Sequence, residues 1–241
     1  MIQVVEIIGR SEQGITKPFI CRGDDDNTYF VKGTGAGRRS QVCEWIAGNL
    51  ALELALPIAP FEIVDVPVEI IEGNTLYSEL GMGPAFASLK QTIMELNFAA
   101  IDMVPDDLQR RVLAFDWWIQ NWDRMLSETG GNPNLFWEPE DERLVIIDHN
   151  QAFDSEFSLD YFFKYHVFSR NVRSLFEVAF YMDSYAKEFK NALNQWQNIC
   201  DNIPQEWHYL DVEMSIPANI QLDAIFNILN RCNTNNFWKQ S

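Results

Sequence analysis

The sequence contains few of the residues that bind zinc or form disulfides. It has three histidines and four cysteines among 241 residues, and no two cysteines stand in a CxxC spacing. We therefore expect neither a zinc site nor a disulfide framework, which is typical of a reducing cytosol. No apolar run approaches the roughly 18 residues that would suggest a membrane span. The chain begins M-I-Q-V-V-E-I-I-G-R, without the basic region of a signal peptide, so we expect a cytoplasmic protein.

Basic residues are scarce relative to acidic ones. The chain has 18 Lys and Arg against 35 Asp and Glu, which gives a net charge of −17. A negative field repels phosphate backbones and anionic headgroups, so we expect no nucleic-acid surface and no membrane docking site. The same field favours a basic or neutral protein partner, and the alternative is that the charge serves only solubility.

The hydrophobic pattern changes character along the chain. Residues 2–8, 18–22, 28–32, 61–68 and 74–80 read as strands, and residues 39–55 read as one helix among them. After Gly81-Met82-Gly83-Pro84 the pattern is helical, over residues 107–120, 159–171, 175–181, 184–202 and 220–231. We predict an α+β, two-lobed, protein-kinase-like fold. Its N-terminal lobe (residues 1–82) is β-rich with one key helix, its C-terminal lobe (residues 83–241) is mostly helical, and the active site lies between them.

Two short apolar runs in the C-terminal part carry polar residues at their ends. N-L-F-W begins at Asn134, and L-V-I-I ends just before Asp148. The polar turn between the runs predicts a two-stranded ribbon, with Asp123, Asn134 and Asp148 gathered at one end. A carboxylate that orients a hydroxyl, with an amide and a second carboxylate to hold Mg²⁺ or Mn²⁺, is the equipment of phosphoryl transfer. Asn132 is an alternative metal ligand to Asn134, and His149 reads as a packing or hydrogen-bonding group.

The N-terminal part offers features that suit a nucleotide. The turn from Gly9 to Gly14 joins the first two strands and can bring backbone N–H groups close to phosphates. Lys32 ends the strand Y-F-V-K, where a lysine taken alone is an ordinary edge charge. Glu44 lies on the inward side of the following helix, where an acid needs a partner, and Lys32 is the natural candidate. Such a pair positions the lysine on phosphates in kinase folds.

Taken in order, these segments resemble the HipA-like kinases, which are relatives of the protein-kinase and phosphatidylinositol-kinase superfamily. The similarity covers residues 9–153, roughly the first three-fifths of the chain. It is carried by Y-F-V-K, S-Q-V-C-E-W-I-A-G-N-L-A-L-E-L-A-L-P-I-A-P, G-P-A-F-A-S-L, N-W-D-R, N-L-F-W and I-I-D-H-N-Q-A-F.

The resemblance implies an ATP-dependent kinase that acts on Ser or Thr hydroxyls of a protein, including its own. It implies that Lys32 binds phosphates with Glu44 as its ion-pair partner and that Asp123 is the catalytic acid/base. By the same resemblance, Asn134 and Asp148 hold Mg²⁺.

Further site residues follow from the resemblance alone. Backbone groups near Glu79, Leu80 and Gly81 are expected to read adenine. Ser11 falls in the phosphate loop between Gly9 and Gly14, so Ser11 or Thr16 is a candidate autophosphorylation site. The family also implies a small antitoxin-like protein as a partner.

The sequence departs from the family pattern at three places. Met125 follows Asp123-Arg124 where the superfamily often has His, and Asn150 stands two after Asp148 where Gly is common. The separation of Asp123 from Asn134 is 11 positions (134 − 123), longer than in D-R-H-x-x-N patterns. We predict an active enzyme. A nucleotide-binding pseudokinase that serves as an interaction module, and a small-molecule kinase, are the alternatives.

Overall fold

The computed structural model describes residues 1–11 and 17–239. The α+β class is confirmed. Contacts divide the chain into two units, and neither is made of consecutive residues. The first unit comprises Met1–Trp45, Ala59–Thr92 and Asn202–Ile220, and the second comprises Ile46–Ile58, Ile93–Asp201 and Gln221–Ser241. The lobe boundary at residues 82 and 83 stays a prediction.

A closed five-stranded barrel forms the first unit. Its strands are β1 (Ile2–Arg10), β2 (Phe19–Gly23), β3 (Thr28–Lys32), β4 (Phe61–Val66) and β5 (Gly83–Leu89). They follow the order β1-β2-β3-β5-β4, and the parallel pairing of β1 with β4 closes the barrel. Alternate side chains point inward as the period of a strand requires, so that the core contains Phe19, Cys21 and Val31.

The helix that follows the third strand is α1 (Arg38–Glu53). The link before it is a 3-10 turn, Thr34–Ala36, whose backbone is tied to the segment before β5. A Cβ atom built on Gly33 would lie 1.9 Å from the carbonyl oxygen of Leu80, so only glycine permits this approach. This glycine-containing link is therefore a packed turn, and it fixes the start of α1 relative to the end of β3.

One predicted strand is wrong. Residues 74–80 form turns around the 3-10 helix Thr75–Tyr77, whose start is capped by the side chain of Asn74. The fifth strand begins at Gly83, where the sequence pattern indicated the change from strands to helices. The first unit also contains the short helix α2 (Val68–Ile71) and, from the C-terminal region, the 3-10 helix Gln205–His208.

The second unit is mostly helical. Its helices are α3 (Asp106–Trp118), α4 (Leu159–Tyr165), α5 (Val172–Glu177), α6 (Ala179–Ala192), α7 (Trp196–Asp201) and α8 (Leu222–Asn230). Short 3-10 helices at Phe98–Met103, Ser169–Asn171, Leu193–Gln195 and Arg231–Asn233 accompany them. Its core is aromatic: the rings of Trp118 and Phe189 stack with centroids 4.5 Å apart.

Two antiparallel hairpins complete the second unit. The first pairs β6 (Met125–Ser127) with β7 (Gly130–Asn132), and the second pairs β8 (Leu135–Glu138) with β9 (Arg143–Ile146). The second hairpin is the predicted two-stranded ribbon, which is confirmed. The first was not predicted. Across residues 1–11 and 17–239, no helix combines the length and apolarity that a membrane crossing requires.

Candidate active site

Lys32 and Glu44 form a buried ion pair in the first unit. Lys32 is the last residue of β3, where it is paired in register with Phe86, and Glu44 lies on α1. Lys32 is 7% exposed and Glu44 is 2% exposed. Desolvation makes either charge costly alone, so each side chain depends on the other. The predicted pairing is present, and its role on a nucleotide stays a prediction.

Two polar residues on the same helix extend this pair. The side-chain nitrogen of Gln41 donates to the carbonyl oxygen of Lys32 at 2.7 Å, and Arg38 donates to the Gln41 side-chain oxygen at 3.0 Å. Arg38 also donates to the carbonyl of Tyr209 at 3.0 Å. Sequence reasoning missed Arg38 and Gln41. The signal was their spacing, because Arg38 and Gln41 are three positions apart, as are Gln41 and Glu44, and residues three apart are neighbours on a helix surface.

The predicted phosphate turn is only partly described. Gly9 belongs to β1, which continues to Arg10. The backbone N–H of Ser11 donates to the carbonyl of Pro18 at 2.9 Å. Gly14 and Thr16 lie outside the described residues.

The segment expected to read adenine packs on the turn before α1. The carbonyl of Glu79 accepts from the N–H of Gly35 at 2.7 Å, and that of Leu80 accepts from Thr34 at 3.1 Å. The carboxylate of Glu79 forms an exposed ion pair with Arg10. Leu80 is a core residue, 1% exposed. The adenine role of this segment stays a prediction that rests on the family resemblance.

In the second unit, Asp123 lies next to both candidate amides. Its Oδ2 atom accepts from Nδ2 of Asn134 at 3.3 Å and from Nδ2 of Asn132 at 3.4 Å. Because a carboxylate only accepts hydrogen bonds, the nitrogen of each amide faces Asp123, and each amide oxygen is directed elsewhere. The choice between Asn132 and Asn134 as metal ligand therefore stays open on these contacts.

The unpredicted hairpin explains the long spacing between Asp123 and Asn134. The intervening residues fold as β6 and β7, with Met125 opposite Asn132 and Ser127 opposite Gly130. The chain thus leaves the site after Asp123 and returns to it before Asn134. The insertion is accommodated outside the cluster, and the contact between the two side chains is retained.

Asn134 and Asp148 stand at the same end of the ribbon. The N–H of Ile147 donates to the carbonyl of Asn134 at 3.1 Å, which continues the register of β8 and β9 by one pair. Both residues have left-handed backbones, with φ of 49° at Asn134 and 57° at Asp148. Asn and Asp are the side chains that tolerate this conformation best, and such conformations cluster at functional sites.

Arg124 fixes this end of the ribbon from within the core. Its Nη1 atom donates to the carbonyls of Asn134 at 2.7 Å, Pro133 at 3.2 Å and Ile147 at 3.3 Å. The side chain has no solvent exposure. Arg124 directly follows Asp123, so one guanidinium connects the backbones around all three predicted groups of this unit.

The charge of Arg124 is balanced by Asp116, on α3. Nε of Arg124 donates to Oδ2 of Asp116 at 2.7 Å, and Asn121 donates to Oδ1 at 2.9 Å. Burial alone would raise the pKa of Asp116, but the charge of Arg124 and a hydrogen bond from His166 outweigh it and lower that pKa well below its ordinary value. Asp116 is therefore an anion at neutral pH.

His166 completes the network as a neutral ring. Its Nδ1 atom accepts from the N–H of Phe168 at 3.0 Å, so Nε2 carries the proton and donates to Asp116 at 3.0 Å. Burial lowers the pKa of His166, and the nearby charge of Arg124 adds to this effect, although the bond to Asp116 opposes it. Sequence reasoning missed this residue, because 50 positions separate it from Asp116 and no local pattern joins them.

The remaining predicted neighbour, His149, is a buried residue. It is 3% exposed, and its ring meets Phe115 edge to face with centroids 5.8 Å apart. Asn150 donates its N–H to Oδ1 of Asp148 at 3.3 Å, which tightens the turn after Asp148.

The donor set at the ribbon end is all oxygen. Among the described residues, no group of three or more His, Cys, Asp or Glu side chains is placed to hold a metal ion. One amide and one carboxylate form a smaller set, which suits a hard cation such as Mg²⁺, because Mg²⁺ takes its remaining ligands from water and substrate phosphates. The residues present therefore fit the predicted cation, and the role of Asn134 and Asp148 as its ligands stays a prediction.

Comparison with known proteins identifies the family. No curated protein matches the chain. A family model described as HipA-like kinase matches residues 4–241, so the match extends through the C-terminal helices, where the sequence motifs gave no signature. The chain therefore belongs to the HipA-like kinase family, a membership that supports kinase-type phosphotransfer as its activity.

Proposed function

We propose that the chain transfers the γ-phosphate of ATP, with Mg²⁺ or Mn²⁺, to Ser or Thr hydroxyls of a protein, its own included. The observation that carries the proposal is the contact between Asp123 and Asn134. These side chains lie 3.3 Å apart although a whole hairpin separates them in sequence. A carboxylate for the acceptor hydroxyl beside an amide for the metal ion is the arrangement that kinase catalytic loops use. Family membership supports the same reaction class.

Each residue has one task in this proposal. Asp123 orients the acceptor hydroxyl and takes its proton, and Lys32, held by Glu44, binds the phosphates of ATP. Asn134 and Asp148 hold the cation, which supplies charge neutralisation on the transferred phosphoryl group. Phosphoryl transfer needs positioning and charge more than covalent chemistry, so the network around Arg124 contributes by keeping these groups in place.

The direct test is incorporation of label from γ-labelled ATP in the presence of Mg²⁺. The full chain is incubated alone and with a dephosphorylated protein acceptor, beside the variants Asp123→Ala and Asp148→Ala. We expect each variant to lose about 10³-fold in rate, because each removes a charge on which the transition state depends. Asp141→Ala is the matched control, since it removes an exposed carboxylate from the turn between β8 and β9.

The pattern of labelling separates the alternatives. Label on Ser or Thr of the acceptor protein, lost in both variants and kept in the control, supports the proposal. Label found on the chain itself, located by mass spectrometry at Ser11 or Thr16, supports autophosphorylation. Thermal stabilisation by ATP and Mg²⁺ without any transfer would overturn the proposal in favour of a nucleotide-binding interaction module. Transfer only to small hydroxyl compounds would identify a small-molecule kinase.

A further inference from the structure

A groove of about 380 Å³ lies on the first unit, and nothing in the proposed reaction uses it. Its lining comes from residues 65–68 at the end of β4, from residues 82–84 at the start of β5, and from the C-terminal segment 206–214, with Arg38 among them. All of these residues belong to the first unit, so the groove is a property of that unit alone.

Hydrogen bonds hold the C-terminal segment that forms one wall of the groove against β5 and α1. The indole N–H of Trp207, which has no solvent exposure, donates to the carbonyl of Pro84 at 2.8 Å. Arg38 binds the carbonyl of Tyr209 at 3.0 Å. Within the segment, the carboxylate of Asp211 accepts the N–H groups of Ser215 and Ile216, and this closes the turn. The groove is therefore preformed and needs no folding to receive a ligand.

Apolar side chains are exposed in this groove. Val68 is 41% exposed, Met82 is 40%, Met214 is 41% and Val212 is 64%. Scattered exposed apolar residues are ordinary, but these line one concave surface rimmed by charged groups. The side chain of methionine is flexible and adapts its conformation to a bound partner. Two methionines in the groove therefore favour the binding of apolar side chains of a peptide.

The charges of the lining are mainly negative. Asp65, Glu206 and Asp211 face one cation, Arg38, whose guanidinium already donates to Tyr209 and Gln41. The chain as a whole carries −17. An anionic ligand such as a nucleotide or a phosphopeptide would be repelled, and a cationic one would be attracted.

We propose that this groove docks a basic, apolar peptide segment of a partner protein. Lysine or arginine side chains of the segment would meet Asp65 and Glu206, and its apolar side chains would cover Met82, Val212 and Met214. Recognition depends on side chains, because the barrel is closed and its strands offer no free edge for strand addition. The proposal does not depend on the phosphotransfer reaction.

Methionine methyl groups provide the test. The full chain, labelled with ¹³C at its methionine methyls, is titrated with a short peptide that alternates lysine and leucine, and with a second peptide that alternates glutamate and leucine. We expect the lysine peptide to shift the methyl signals of Met82 and Met214. Met94 and Met103 are more exposed than these two residues, at 74% and 53%, but lie in the second unit, and we expect their methyl signals not to shift.

A charge-reversed variant and its control decide whether binding is local. Glu206→Lys should weaken the lysine peptide by about tenfold or more, because it places like charges together in the groove. Glu140→Lys makes the same change in net charge on the exposed turn after β8 and should leave affinity unchanged. Equal loss in both variants, or equal shifts at all exposed methionines, would overturn the proposal, since diffuse attraction to an acidic chain explains them. Absence of any shift would overturn it as well.

Discussion

The guanidinium of Arg124 lies 2.7 Å from the carboxylate of Asp116, and neither side chain is exposed to solvent. Asp116 belongs to α3, and Arg124 directly follows Asp123. The same guanidinium donates to the carbonyls of Asn134 and Ile147. A buried ion pair thus connects α3 to the end of the ribbon of β8 and β9, where Asn134 and Asp148 lie. We infer that Arg124 and Asp116 hold the site residues in position without contacting a substrate.

Loss of Arg124 should be costly to stability. Arg124→Met keeps the length of the side chain but leaves Asp116 as a buried charge without its cation, so we expect a loss of roughly 3–5 kcal/mol in the free energy of unfolding. Urea unfolding followed by tryptophan fluorescence measures it. Arg143→Met is the matched control, because Arg143 pairs with Glu138 at the partly exposed end of the ribbon and should cost under about 1 kcal/mol. Equal costs for the two variants would contradict the buried role.

The network also predicts acid sensitivity. The folded-state pKa values of His166 and Asp116 both lie below their ordinary values of 6.5 and 3.8. As the pH falls, each group is protonated in the unfolded chain before it is protonated in the folded chain. The contribution of each group to the free energy of unfolding is therefore fully present above its ordinary pKa and decreases below it. We therefore expect the free energy of unfolding to decrease as the pH drops below 6.5, and to decrease further below 3.8.

A histidine substitution isolates the first of these steps. His166→Gln keeps a side chain that can donate to Asp116 but does not titrate, so its free energy of unfolding should depend less on pH between 7.5 and 5.5 than that of the parent. His208→Gln, in the partly exposed 3-10 helix Gln205–His208, should retain the parental slope. The same slope in parent and His166→Gln would show that the buried ring does not titrate in this range.

Parts of the site could be predicted because their signals are local. An apolar run that begins with an amide, followed after a short polar turn by an apolar run that ends in an acid, predicted the ribbon and placed Asn134 and Asp148 at one end of it. A glutamate on the inward side of a helix predicted its pairing with Lys32. In both cases, a polar group in apolar surroundings needs a partner nearby, and the chain offers few.

Other parts could not be predicted because their causes are distant in sequence. Asp116 lies in an aromatic helix, where a buried acid needs a partner. The sequence pattern does not indicate that His166 is one of its partners. The hairpin of β6 and β7 is short and contains glycines, so its residues give little strand signal. The strand β5 was misplaced because its residues in the barrel core, Ala85 and Ala87, have small side chains that give a weak apolar signal, and because its pairing partners β3 and β4 are distant in sequence.

A pair of variants separates the structural role of Lys32 from its proposed role on ATP. Lys32→Met alone takes the cation away from the buried carboxylate of Glu44 and should destabilise the fold by roughly 3–5 kcal/mol. Lys32→Met combined with Glu44→Met replaces the pair with apolar side chains and should recover most of that stability. At an ATP concentration 100 times the parent's dissociation constant, the parent should gain about 2.7 kcal/mol, and the double variant should gain at least about 1.4 kcal/mol less, because its affinity for ATP falls tenfold or more. Equal stabilisation of the parent and the double variant would show that Lys32 does not bind the phosphates.

The choice between the two amides is open to a direct experiment under the proposed function. Glycine is the substitution to use, because the left-handed backbone of Asn134 would strain any other small residue, and Asn132→Gly matches it. If Asn134 holds the cation, Asn134→Gly should raise the Mg²⁺ concentration for half-maximal phosphotransfer by at least about tenfold, and Asn132→Gly should raise it less. Both amides contact Asp123 at nearly equal distances, so loss of that contact alone affects the two variants alike and leaves the Mg²⁺ requirement unchanged. A larger effect from Asn132→Gly would transfer the ligand role to Asn132, and no change in either variant would remove both amides from the metal site.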